Sequence, residues 1–127
     1  MIAADTSTWI AFLQGEEGRD TQLLQQALAD RQVLMVPAVL AELLSDPGLS
    51  SGVAETLAEV PLMDSTPGYW QRAGFLRAKA LAKKRRARLA DALIAQSCID
   101  HKVFLLTRDR DFRVFSAAAG IDLLVEA

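Results

Sequence analysis

Short apolar runs alternate with stretches of helical spacing along this chain, and this alternation constrains the fold more than any other feature. Four runs predict buried strands, at residues 1–4, 33–36, 103–106 and 121–125, and a weaker fifth lies at residues 60–63. Strands that alternate with helices form a parallel sheet covered on both faces. The pattern therefore predicts an α/β fold, a three-layer α/β/α sandwich around a mostly parallel sheet of four or five strands.

The helices are predicted from caps, breakers and apolar spacing. Thr6 or Ser7 is suited to begin the first helix, and Gly15 to end it. Pro37 suits the first position of a later helix, where its missing N–H is not needed. The predicted helices cover residues 6–14, the stretch around 23–28, and residues 37–45, 51–59, 69–84 and 88–100.

Length and composition indicate one folded globular domain, spanning residues 1–127. The chain has 51% hydrophobic and 24% charged residues, which is typical of a globular protein. The single cysteine, Cys98, forms no internal disulfide, and no basic-then-apolar leader follows Met1. No apolar run reaches the roughly 18 residues that a membrane span requires. We therefore expect a cytoplasmic protein without a membrane anchor.

The two halves of the chain carry opposite charge. Residues 1–64 contain ten acidic and two basic residues, a net charge of −8, and residues 65–127 contain twelve basic and six acidic residues, a net charge of +6. No acidic residue lies between Asp64 and Asp91, where eight of the basic residues fall. This segment is either a solvated helix face or a strip that binds the phosphates of a nucleic acid.

Four acidic residues lie in or beside apolar runs, where an ionised carboxylate is costly unless it is paired or binds a cation. Asp5 directly follows the first predicted strand, and Asp109 follows the strand at residues 103–106 by two or three residues. Glu42 lies about two turns into the helix after the second strand. These three belong to the carboxyl end of the sheet, where open parallel sheets bind ligands. Asp91 joins them if its helix begins at the same end.

A cluster of these acids predicts a metal site. Two carboxylates 4 Å apart repel by about 4 kcal/mol at an effective dielectric of 20, so a cation or partial protonation is needed. Oxygen ligands select hard ions, and Mg²⁺ or Mn²⁺ suits phosphoryl chemistry. Each acid taken singly also has an ordinary explanation as a helix cap, a surface residue, a first-turn residue or a turn residue.

Four motifs in order resemble those of the PIN domain, and in particular those of VapC toxins from toxin-antitoxin pairs. The motifs are IAADTS (residues 2–7), PAVLAELL (37–44), LADALIA (89–95) and LLTRDRDF (105–112). The resemblance implies an endoribonuclease that depends on Mg²⁺ or Mn²⁺ and cuts structured RNA, commonly transfer or ribosomal RNA. It also implies a homodimer and a small antitoxin partner that covers the active site.

The resemblance assigns roles to individual positions. It implies that the catalytic and metal-binding residues are Asp5, Glu42, Asp91 and Asp109. Thr6 and Thr107 match small polar positions that support the site, and Asp111 contributes through water or is only structural. For an RNA nuclease, a strip of positive charge beside the acids attracts the polyanion. The residues expected to bind RNA are Lys83, Lys84, Arg85, Arg86, Arg88 and Arg108.

Two other functions stay open at this point. An aspartate after the first strand resembles the nucleophile of haloacid dehalogenase phosphatases, although Asp5-Thr6-Ser7-Thr8 lacks the second aspartate that would act as the acid. The other is a PIN-like module that binds RNA or a partner without turnover, for which the intact acids are unexpected.

Overall fold

A computed structural model describes residues 1–126, which form three strands, seven α-helices and one short 3-10 helix. The 3-10 helix spans Arg110–Phe112. The strands are β1 (Ile2–Ala4), β2 (Phe104–Thr107) and β3 (Leu124–Glu126). The helices are α1 (Thr6–Leu13), α2 (Arg19–Ala29), α3 (Pro37–Leu44), α4 (Ser51–Glu59), α5 (Tyr69–Ala82), α6 (Leu89–His101) and α7 (Arg113–Ala119).

The sheet is parallel, in the order β1-β2-β3. Ile2 pairs with Phe104, so the first strand of the chain lies beside one that comes about a hundred residues later. Two isolated parallel bridges continue the pairing beyond β1, from Ile2 to Val33 and from Met35 to Leu62. The predicted α/β class, with a central parallel sheet between helical layers, is confirmed.

The predicted strands at residues 33–36 and 60–63 pair more briefly than expected. Each makes isolated bridges instead of a continuous ladder. Proline explains the limit, because Pro37 begins α3 immediately and Pro61 has no N–H to donate to a ladder. The backbone bonds that remain run from Met35 N to Pro61 O, at 2.7 Å, and from Met63 N to Met35 O, at 2.9 Å.

The C-terminal region differs most from the prediction. The sequence reading assigned no helix after residue 109, whereas the 3-10 helix and α7 occupy residues 110–119. The last strand was predicted at residues 121–125 but begins at Leu124. Ser116 of α7 explains the delay, because its hydroxyl donates to Ile121 O and accepts from Leu123 N. These bonds hold residues 121–123 in a turn against α7.

Helices cover the sheet and enclose one core cluster. α6 packs against α3, α5, α7 and β2, while α2 packs against α1, β2 and β3. The largest fully buried side chains of the cluster include Trp9, Leu24, Ile94, Phe112 and Phe115. Burying side chains of this size stabilises the fold by about 1.5–3 kcal/mol each. Within residues 1–126, no helix is both long and apolar enough to cross a bilayer.

Candidate metal centre

Asp5 lies between β1 and α1 and caps the helix. Its Oδ1 accepts hydrogen bonds from the backbone N–H of Thr8, at 3.0 Å, and from the hydroxyl of Ser7, at 2.7 Å. Its Oδ2 accepts a hydrogen bond of 2.6 Å from the hydroxyl of Thr107, at the end of β2. The side chain is 3% exposed, so the fold fixes this carboxylate in position.

Burial and a neighbouring charge oppose the ionised form of Asp5, and its hydrogen bonds favour that form. Burial raises the pKa of Asp5 most, the bonds from Thr107, Thr8 and Ser7 lower it, and the charge of Asp109 raises it again. The net result is a raised pKa. A buried carboxylate whose two oxygens both accept hydrogen bonds is poorly placed to attack a phosphoester, which disfavours the phosphatase interpretation.

Asp109 lies at the same edge of the sheet as Asp5. Its backbone N–H donates to the hydroxyl of Thr107 at 2.9 Å, so one threonine contacts both acidic positions. Its own Oδ1 accepts from the backbone N–H of Asp111 at 2.9 Å and caps the 3-10 helix. The predicted supporting position Thr107 therefore links Asp5 to the segment that carries Asp109 and Asp111.

Asp91 lies in the first turn of α6 and has the most perturbed carboxyl of the cluster. Burial raises its pKa first, followed by the charge of Asp109, and together with Glu42 and Asp111 these effects outweigh Arg88 and bring the pKa to about 6. Burial alone can raise a carboxyl pKa, and the charges of nearby carboxylates raise it further. The structure thus couples Asp91 to three other acids.

Glu42 reaches the cluster from α3, with an exposed side chain. Its Oε1 accepts a hydrogen bond of 2.9 Å from the hydroxyl of Thr6, in the first turn of α1. The predicted supporting residue Thr6 therefore orients the second acid instead of Asp5. Since α1 and α3 also pack together, the first two motifs meet through this contact.

The acids form a coupled cluster but not a preassembled coordination shell. Among residues 1–126, no three side chains of Asp, Glu, His or Cys are arranged to hold a metal ion. Thr107 and Thr6 donate hydrogen bonds to carboxylate oxygens of Asp5 and Glu42, and these oxygens keep further lone pairs for a ligand. The donor chemistry nevertheless fits a hard divalent cation, since every candidate ligand is a carboxylate oxygen and the charges of neighbouring carboxylates raise the pKa of Asp5 and of Asp91.

A strip of basic residues leads into the helix that carries Asp91. Residues 83–88, which we call the basic strip, connect α5 to α6, and their five charged side chains are exposed. Ala87 is buried, and its carbonyl accepts a 2.9 Å hydrogen bond from Arg77 Nε, which anchors the strip. Arg88 is the N-cap residue of α6 and lowers the pKa of Asp91. Positive charge therefore lies directly beside the acids.

Arg108 behaves differently from the basic strip with which the sequence grouped it. Its guanidinium binds Asp20 through two hydrogen bonds, Nε to Oδ2 at 2.7 Å and Nη2 to Oδ1 at 3.0 Å. Asp20 has no exposure to solvent. The ion pair with Asp20 uses two of the guanidinium's five N–H donors, so it sets Arg108 apart from the exposed strip, and RNA binding by Arg108 stays a prediction.

Sequence reasoning missed Asp20, Ser7 and Thr8, all of which support the site. The run of three hydroxyl residues after Asp5 was a usable signal, since such side chains bind nearby carboxylates and backbone groups. No comparable signal marked Asp20, whose partner Arg108 lies 88 positions away.

Most of the chain matches a known protein family, because the family model for the PIN domain matches residues 2–118. The chain belongs to the PIN-domain family. A search of curated proteins found no significant match. The motif resemblance to the PIN domain is therefore confirmed over nearly the whole chain.

Solved structures similar to this PIN domain agree with its fold over almost its full length. FitAB bound to an IR36 DNA fragment has a TM-score of 0.73 and 18% identity, covering 99% of this chain and 94% of that one. VapBC-5 from Mycobacterium tuberculosis, a member of the VapBC family of toxin-antitoxin systems, has a TM-score of 0.69 and 21% identity, covering 99% and 98%. FitAcB from Neisseria gonorrhoeae has a TM-score of 0.69 and 19% identity, covering 98% and 97%.

Proposed function

We propose that this PIN domain is an endoribonuclease that depends on Mg²⁺ or Mn²⁺ and acts as the toxin of a toxin-antitoxin pair. PIN domains are generally nucleases, which supports the reaction class. The observation that carries the proposal is the electrostatic coupling of Asp91 to Asp109, Glu42 and Asp111, with Asp5 coupled to Asp109. A protein that needed these residues only as helix caps would have no reason to gather them.

Three of the carboxylates differ in how they would contribute to metal binding and reaction. The ion, when bound, supplies a Lewis acid that polarises a phosphate oxygen and lowers the pKa of a water molecule. Asp5 is rigid and buried, and suits a fixed ligand. Asp91, with a pKa of about 6, is ionised in most molecules at neutral pH. Glu42 is exposed and oriented by Thr6 Oγ1 alone, so its carboxylate can turn toward ion or water.

The basic strip would bind the phosphates of the substrate. Its residues Lys83, Lys84, Arg85, Arg86 and Arg88 are exposed and follow one another into the helix of Asp91. A negative pocket repels a polyanion unless positive charge lies nearby, and clustered lysine and arginine supply that attraction. Arg108 is left out of this surface because its guanidinium is bound to Asp20.

The substrate and partners are proposed at the level of their class. Structured cellular RNA, such as transfer or ribosomal RNA, is the proposed substrate. The proposed location of the protein is the cytoplasm. The partners are a cognate antitoxin and a second copy of the chain, and VapBC-5 supports the first. Trp70 and Phe75 on α5 are 67% and 68% exposed and offer apolar contact area. Light scattering of the purified protein tests whether it dimerises.

RNA cleavage by purified protein tests the function. The protein is incubated with total RNA in Mg²⁺ or Mn²⁺, and the reaction is repeated with a chelator. Asp5→Asn and Asp91→Asn each remove one ligand charge, and each is expected to lower the rate by at least about a hundredfold. Glu55→Gln, an exposed change on α4, is the control and should cut RNA like the wild type. Cleavage that survives both the chelator and the two substitutions would overturn the mechanism.

A further inference from the structure

The ion pair between Asp20 and Arg108 is enclosed more completely than a surface pair. Asp20 is fully buried and accepts two hydrogen bonds from the guanidinium, whose Nη2 also donates to the carbonyl of Glu17 at 2.8 Å. Gly18 leaves the necessary space, because a Cβ there would lie 2.6 Å from Arg108 Nη2 and 2.7 Å from Asp20 Oδ1. Burial alone would raise the pKa of Asp20, but the bonds from Arg108 and Thr8 hold it below its usual range.

Two short paths connect this pair to Asp5. In the first, Thr8 donates its hydroxyl to Asp20 Oδ2 at 3.0 Å and its backbone N–H to Asp5 Oδ1 at 3.0 Å. In the second, the backbone N–H of Arg108 donates to Ser7 Oγ at 3.1 Å, and that hydroxyl donates to Asp5 Oδ1 at 2.7 Å. The pair therefore fixes the two residues that hold Asp5 Oδ1.

The same arginine also fixes the segment that carries Asp109. Arg108 stands between Thr107, which donates to Asp5 Oδ2, and Asp109, whose backbone N–H donates to the same threonine hydroxyl. Its guanidinium is anchored to α2 through Asp20, so the ion pair adds to the bonds of Thr107 and of the Arg108 backbone in holding the segment after β2. The segments on both sides of Arg108 are thus tied to α2 as well as to Asp5.

We propose that the Asp20–Arg108 pair positions Asp5 and Asp109 for a divalent cation, and that Arg108 is a positioning residue with no contact to RNA. Asp5 and Asp109 repel each other, so a rigid frame is needed to hold them close together. Partners bonded directly to a metal ligand typically contribute tenfold to a hundredfold to metal affinity, and this pair acts one bond further out, through Thr8 and Ser7, so the lower end of that range is expected. The effect on cleavage rests on the proposed nuclease function, whereas the effect on metal affinity does not.

The chain offers a matched control in a second ion pair of the same form. Arg72 binds Asp100 through Nε to Oδ1, at 3.1 Å, and Nη2 to Oδ2, at 2.7 Å. Asp100 lies nine residues after Asp91 in α6, about 13 Å along the helix axis. Lysine keeps the positive charge but cannot form the two parallel bonds. Arg108→Lys and Arg72→Lys therefore make the same chemical change, once beside the acids and once far from them.

The experiment measures Mn²⁺ affinity by electron paramagnetic resonance of the free ion, with circular dichroism to verify folding. Arg108→Lys is expected to raise the Kd for Mn²⁺ by about tenfold or more, and Arg72→Lys by less than twofold. Should Arg108→Lys fail to fold, Thr8→Val serves instead, because it removes only the hydroxyl bond to Asp20 and keeps the backbone bond to Asp5. A Kd within twofold of the wild type in the folded variant would overturn the proposal.

Kinetics with RNA separate positioning from substrate contact. For Arg108→Lys we expect kcat to fall at low Mn²⁺ and to recover as Mn²⁺ is raised, with KM for RNA unchanged. A raised KM that excess Mn²⁺ does not restore would assign Arg108 to RNA binding and overturn the inference. A wild-type protein that binds Mn²⁺ but leaves RNA intact would refute only the proposed function, since the ratio of metal affinities still tests positioning. A wild type that binds no Mn²⁺ would refute both.

Discussion

Removing one charge from the acidic cluster should make the metal-free protein more stable, and Asp91→Asn is the clearest case. A carboxyl whose pKa rises from 3.8 to about 6 on folding opposes folding by up to about 3 kcal/mol when it is ionised. Asp91 is only half-buried, so screening reduces this to about 1–2 kcal/mol. In the first turn of α6, the charge of Asp91 also stabilises the folded state by up to about 1 kcal/mol through the helix dipole, and asparagine loses this contribution. The net gain expected for asparagine is about 1 kcal/mol, or about 4 °C in Tm.

The stability difference between Asp91→Asn and the wild type should depend on pH, because the pKa of Asp91 is raised in the folded state. Because the pKa is higher in the folded state, the folded protein binds more protons than the unfolded chain between pH 3.8 and about 6, and its stability falls as pH rises through that window. The advantage of Asp91→Asn should therefore be full at pH 7.5 and shrink toward pH 4. Ionisable groups far from Asp91 are the same in both proteins, so the difference in Tm reports the loss of this charge from the acidic cluster.

Thermal unfolding followed by circular dichroism provides the assay, with EDTA present and at several pH values. Glu55→Gln removes one exposed charge outside the cluster and should leave Tm within about 1 °C. Added Mg²⁺ should raise the Tm of the wild type by preferential binding to the folded state and should have little effect on Asp91→Asn. A Tm that falls for Asp91→Asn at pH 7.5 in EDTA would show that this aspartate mainly stabilises the first turn of α6.

Two further outcomes follow from single contacts and from the basic strip. Thr107→Val removes the 2.6 Å hydrogen bond to the buried Asp5 and should lower the free energy of unfolding in urea by about 1–3 kcal/mol. Thr107→Ser keeps the hydroxyl and should retain most of the stability. Equal stabilities for the two variants would show that the hydroxyl does not stabilise the protein. Replacing Arg85 and Arg86 by alanine should weaken RNA binding, measured in EDTA. The slope of log K against log salt concentration should become shallower by about 0.7 for each phosphate contact that is lost. Arg19→Ala, which removes a positive charge outside the strip, is the control. An unchanged salt slope would remove the strip from the RNA surface.

Local patterns predicted most of the fold because they are read within one turn or one strand. The helix predicted at residues 51–59 forms there as α4, and Pro37 correctly marked the start of α3. Asp5 and Asp109 were expected at one edge because the carboxyl ends of parallel strands face the same way. The structure places Asp5 directly after β1 and Asp109 two residues after the end of β2.

Contacts between distant segments account for what the sequence did not predict. A charged arginine beside two aspartates looks like a phosphate ligand, and only the tertiary packing of α2 shows that Arg108 is already bound to Asp20. Pairing at residues 33–36 ends early partly because the neighbouring segment contains Pro61, which has no backbone N–H to donate. The start of β3 at Leu124 depends on the hydroxyl of Ser116, which no periodicity reveals.

The pairing of β1 with β2 determines when the acidic cluster can form during synthesis of the chain. Asp5 and its donor Thr107 are separated by 102 positions, so the acidic cluster cannot form until a loop of that length has closed. Closure of such a loop is slow, and contacts of this range form late in folding. A nascent chain that has reached α6 already carries three of the four acids but lacks β2 and Thr107. Synthesis itself therefore delays assembly of the site until the last motif has emerged.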